Sequence, residues 1–139
     1  MPVLTRWFIK SSLVFFIAAL VAGVAQAANR IMNLPPIIGF LSPVYIHLFL
    51  VGWVTQLIFG VVFWMFPKFS QQNPRRNERL GWATFALLNS GLFLRVVGEP
   101  LHAVYPTSGL GWVVALSALL QWMAGMGFIA NTWGRVKEK

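Results

Sequence analysis

Apolar residues run almost without interruption through four stretches of this chain, residues 11–28, 43–66, 80–98 and 110–133. Polar residues and prolines gather between them. Each stretch is near the roughly 20 residues that a helix needs to cross a hydrocarbon core of about 30 Å. The apolar positions fill every side of each stretch instead of one stripe, as expected of helices bathed in lipid. The pattern predicts an all-α integral membrane protein, a four-transmembrane-helix bundle. Residues 1–139 read as one such domain without a soluble module.

Charge sets the orientation. The chain has 11 lysines and arginines against 3 acids, a formal net charge of +8. Arg6 and Lys10 precede the first stretch; Lys68, Arg75, Arg76 and Arg79 lie between the second and third; Arg135, Lys137 and Lys139 follow the fourth. Arg30 stands alone between the first and second, and residues 101–109 carry neither lysine nor arginine. By the positive-inside rule both termini are cytoplasmic, N-in and C-in, in a bacterial-type inner membrane. Trp7, Trp64, Trp82 and Trp133 at the inner interface and Trp112 near the outer one fit an aromatic belt. The positive charges cluster at helix ends rather than along one aromatic-studded face, so the partner is the lipid bilayer and no nucleic acid. A competing reading of residues 1–27 is a cleaved signal, with Ala25, Gln26 and Ala27 as the small-residue site. Ala18, Ala19, Ala22 and Gly23 instead favour a retained, closely packed helix.

Little conventional catalytic chemistry is available. Cysteine is absent, and Glu78, Glu99 and Glu138 are the only acids. No phosphate-binding loop or nucleophile–base arrangement occurs. Gln56, Asn89 and Gln121 lie near the middle of their spans, where amides serve as interhelical hydrogen bonds worth about 0.6 kcal/mol each. Gly52, Gln56 and Gly60, and likewise Ser117, Gln121 and Gly125, repeat at four-residue spacing and predict close helix contacts.

One cluster is different. Arg95, Glu99 and His102 follow at i, i+4 and i+7, on one face at about 100° per residue if the helix passes Pro100. His47, near the start of the second span, falls at the same outer depth. An ionisable side chain facing hydrocarbon costs about 2.5 kcal/mol or more, so such groups face protein, water or a cofactor. The bland alternatives are an intramembrane ion pair for Arg95 and Glu99 and an interfacial hydrogen bond for His102.

The segment "YIHLFLVGWVTQLIFGVVFWMFPK", residues 45–68, resembles helices of haem-copper oxidase subunit I and its short relatives, the catalytic subunits of cytochrome c oxidase and nitric oxide reductase included. That pattern is a His-x-His pair, Gly-Trp or Gly-Phe, Phe-Gly, and an aromatic-rich end before proline. His47 matches the second histidine, Gly52 and Trp53 the Gly-Trp, Phe59 and Gly60 the Phe-Gly. Tyr45 stands where the first histidine would be. A weaker likeness covers "LLNSGLFLRVVGEPLH". The resemblance implies a haem b ligated by His47, with His102 or a neighbour's histidine as the second iron ligand. Arg95, Glu99 and Tyr45 would contact the cofactor, Arg95 through a propionate. Copper is not expected from one chain, because the family's oxygen-reducing centre takes several more histidines than the two present here.

The chain resembles one four-helix arc of that larger subunit, so three copies as a homotrimer would imitate the whole. The resemblance thus implies a respiratory electron-transfer protein, an oxidoreductase component rather than a complete oxidase. Two other classes remain open: a non-catalytic accessory subunit of a larger respiratory or photosynthetic complex, and a quinol-binding membrane subunit in which His47 or Glu99 takes the proton.

Overall fold

A computed structural model describes residues 1–136. Lys137 and Lys139, counted above as cytoplasmic charges, and Glu138 lie outside the described residues. Four long helices account for the chain: α1 (Val3–Asn29), α3 (Ser42–Met65), α4 (Glu78–Val104) and α5 (Gly111–Thr132), with a short α2 (Pro36–Gly39) on the first connection. The last helix tightens into a 3₁₀ turn at Trp133–Arg135. All four long helices are apolar enough to cross a membrane, and among the described residues there is no strand. The protein is an all-α, multi-pass membrane bundle.

The helix ends follow local chemistry. Asn77 caps α4, its side chain accepting from the Leu80 amide at 3.1 Å, and Glu78 adds a negative charge in the first turn. Phe66 ends α3 in an extended conformation because Pro67 follows it. Gly109, at φ 71°, makes the left-handed turn into α5 that a side chain would oppose. Helix α1 begins at Val3, well before the predicted residue 11, and its 27 residues span about 40 Å, so Arg6 and Lys10 ride on the helix where it leaves the hydrocarbon. Helix α4 continues through the buried Pro100 to Val104 instead of stopping at residue 98.

Packing is closest between α1 and α3 and between α4 and α5. A methyl on Gly60 would sit 2.8 Å from the Phe8 Cβ, and one on Gly52 would sit 2.8 Å from the Phe15 Cβ. Gly91 leaves room for the backbone of α5, with the Ser117 carbonyl 3.0 Å from where a methyl would be. Leu4, Phe8, Phe59, Phe63, Leu88, Leu92 and Ala124 form the core of one half of the bundle, where Phe59 stacks on Phe128 at 3.8 Å. Ala19, Val44 and Leu48 close the other half.

The predicted small-residue stripe on α3 is therefore a contact stripe. On α5 only part of it is: Ser117 donates to the Gly91 carbonyl at 2.8 Å, whereas Gly125 has nothing within 4 Å of a would-be methyl. Gly52→Ala is expected to lower stability by about 1–3 kcal/mol through overpacking, and Gly125→Ala to be neutral or slightly stabilising in its helix. Thermal unfolding of the two variants in detergent checks this contrast.

The start of α1, the α3–α4 turn and the chain's last described residues gather at one end. Arg6, Lys10, Lys68, Arg75, Arg76, Arg79 and Arg135 all belong to that end, and Arg30 to the other. Single cysteines at Ser70 and Ser108 should accordingly label from opposite sides of the membrane, Ser70 from the cytoplasm. Labelling of Ser108 from the cytoplasmic side would reverse the orientation.

Candidate functional site

His47 ends the first α-helical stretch of α3, and Leu48–Thr55 immediately beyond it is wound as a π-helix. In an α-helix, the nine residues from His47 to Gln56 make two and a half turns, which would place them on opposite faces. Hydrogen bonding to i+5 fits more residues into each turn and brings the interval closer to two. Both side chains consequently face α4: Gln56 donates to the Asn89 Oδ1 at 3.2 Å, and Arg95 reaches the His47 ring. The wide winding at this point turns the histidine into the bundle's polar seam.

Both ring nitrogens of His47 have partners. Nδ1 lies 2.8 Å from the Pro43 carbonyl oxygen, which can only accept, so Nδ1 carries the hydrogen. Nε2 then presents its lone pair to the Arg95 Nη2–H at 3.0 Å. Glu99 completes the cluster, its Oε2 standing 3.7 Å from the Arg95 Nε and 3.8 Å from the His47 Nδ1. The Arg95–Glu99 separation is ionic rather than hydrogen-bonded, the neutral His47 ring makes no ion pair with Glu99, and Arg95 Nε and Glu99 Oε2 are buried without a hydrogen-bond partner. The His47 side chain keeps 25 % of its surface exposed, Arg95 15 % and Glu99 21 %, so the cluster sits at the bundle's flank rather than in its centre.

The other two candidate residues lie elsewhere. Tyr45 points to α1, where its ring would touch a side chain on Gly23 at 3.3 Å, and it stacks on Phe49 at 6.0 Å. Together with Gln26, Arg30 and Ser42 it lines a separate cleft of about 530 Å³ at the end of the bundle that carries Arg30. His102, three residues past Glu99 on the same helix, packs beside Gly111 at the start of α5, and its buried Nδ1 has no partner. Among the described residues no three of His, Asp and Glu come together as a metal-ligating group. The structure thus unites His47, Arg95 and Glu99 and leaves His102 and Tyr45 outside that cluster.

Sequence reasoning missed the role of Arg135. It is 1 % exposed and donates to the carbonyls of Phe63 (3.2 Å), Phe66 (2.8 Å) and Pro67 (3.1 Å), the orphan acceptors at the end of α3. Alongside it, Arg76 donates to the Ala130 carbonyl at 2.6 Å and the Asn77 amide to Asn131 Oδ1 at 3.1 Å. These contacts tie the basic loop, which stays largely exposed, to the end of α5.

No protein-family model matches the chain, and comparisons with curated proteins and with solved structures likewise return no match.

Proposed function

We propose that this protein is a haem b-binding electron-transfer component of a bacterial-type inner membrane, ligating iron through His47 and working as a homo-oligomer, with a homotrimer as the assembly. The observation that carries the reading is the His47 tautomer. An Nδ1–H fixed on a backbone carbonyl is how metal-bound histidines are oriented, and it leaves Nε2 as the donor atom. The donor set would suit a haem, with His47 offering an iron ligand and Arg95 a cation for a propionate, better than a bare metal ion needing three or more protein ligands. A bound haem supplies one-electron chemistry. The residues' own part is positional. The Pro43 carbonyl holds the ring, Arg95 would leave Nε2 for a propionate carboxylate when the haem binds, and Glu99 beside it partly neutralises that guanidinium. The cluster offers one iron ligand, so a second would come from His102 or from another copy, and the partial exposure of His47 favours a neighbouring copy.

A second reading has its own support. Because both His47 nitrogens are already satisfied inside the chain, the cluster also works as a plain interhelical pin in an accessory subunit. Native mass spectrometry of protein expressed with ample haem separates the two: the first gives an oligomer carrying the mass of haem, the second a haem-free species. A haem-free monomer would overturn the proposed function.

A further inference from the structure

At the basic end of the bundle, two neighbouring clefts on the flank of α1 share Trp7 and Lys10 in their walls. One, of about 260 Å³, is lined by Val3, Arg6, Trp7 and Lys10. The other, of about 230 Å³, shares Trp7 and Lys10 and continues along the helix past Ser11, Val14 and Phe15 to Asn89. From Arg6 to Val14 the axial distance is about 12 Å, so the neighbouring clefts line up as one track that is cationic at the headgroup end and apolar toward the membrane interior. Asn89 adds no polar demand at the far end, because its amide is already engaged with Gln56 and the Phe85 carbonyl. Trp7 packs edge-on against Phe85 at 6.3 Å and forms the wall common to both clefts. Among the described residues neither Arg6 nor Lys10 meets a carboxylate: Glu78 pairs with Arg75 at 2.8 Å, and Glu99 lies at the opposite end with Arg95.

We propose that this track binds one anionic phospholipid of the adjoining leaflet, its phosphate between Arg6 and Lys10 and an acyl chain along Trp7, Val14 and Phe15. Two cations one helical turn apart suit phosphate oxygens, and an amphipathic aromatic at the headgroup level suits the glycerol region. A free anion would use the cations and leave the groove empty. A neutral amphiphile would use the groove and leave the cations without a counter-charge.

The test is native mass spectrometry of the full chain in mild detergent with phosphatidylglycerol, phosphatidylcholine or inorganic phosphate added. One phosphatidylglycerol per chain should be retained in preference to phosphatidylcholine. Arg6→Gln with Lys10→Gln should weaken its retention about 30-fold, from the loss of two phosphate contacts. The charge-matched pair Lys68→Gln with Arg79→Gln should retain it to within about fivefold of wild type. Val14→Trp, which changes no charge, should block the groove and displace the lipid. Equal losses in the two charge-matched variants would mean diffuse attraction and overturn the site. Retention of the lipid in Val14→Trp, or its displacement by millimolar inorganic phosphate, would overturn the acyl-chain track and reduce the site to one for simple anions.

Discussion

Arg135→Leu should be the most destabilising single substitution at the basic end of the bundle, with a loss of about 3 kcal/mol or more and a fall in melting temperature on the order of 10 °C in detergent. The guanidinium makes three charge-assisted bonds to Phe63, Phe66 and Pro67 and lies 5.9 Å over the Phe63 ring. Leucine removes all of them and strands three carbonyls that α3 cannot satisfy itself, while a buried donor-poor side chain supplies nothing in return. Arg135→Lys should recover only part of the loss, since an ammonium cannot reach three acceptors fanned over adjacent residues with the planar geometry of a guanidinium. If Arg135→Leu melts within about 1 °C of wild type, the carbonyls are served by water and the pin is not structural.

His47→Ala should abolish the haem absorbance while leaving the helical content intact. The ring is partly exposed at the bundle's flank, and its loss leaves Arg95 beside Glu99, so the fold has little reason to fail. His102→Ala should remove the signal only where both axial ligands come from one chain. Arg95→Leu should instead keep the haem and lower its midpoint potential by roughly tens of millivolts, because withdrawing a nearby positive charge favours the ferric form. Optical redox titration of the variants separates these effects. Unchanged spectra in His47→Ala would assign the iron to another residue.

The four spans were legible because lipid imposes length and uniform hydropathy on any helix that crosses it. Their ends were less so. Hydropathy places the start of α1 at residue 11, since it penalises Arg6 and Lys10, although both extend from a helix that begins at Val3. Pro100 argues for a break, yet the helix tolerates it at a buried position and reaches Val104. The His47–Arg95–Glu99 grouping could be read from depth alone. That His102 turns to Gly111, and that His47 turns inward at all, could not: an α-helical wheel puts His47 opposite Gln56, and no residue in "LFLVGWVT" announces the π winding that realigns them. Arg135 was legible as a charge at the correct end but not as a buried group, because the carbonyls it serves belong to a segment some 70 residues earlier and have no side-chain signature.

The most direct measurement is a dithionite-reduced-minus-oxidised visible spectrum of the purified wild-type protein, produced with ample haem. A Soret band and an α-band typical of a b-type haem, in stoichiometric amount, is the predicted result; a preparation that is folded, helical and free of both bands would contradict haem ligation by His47 and leave the cluster as an interhelical pin.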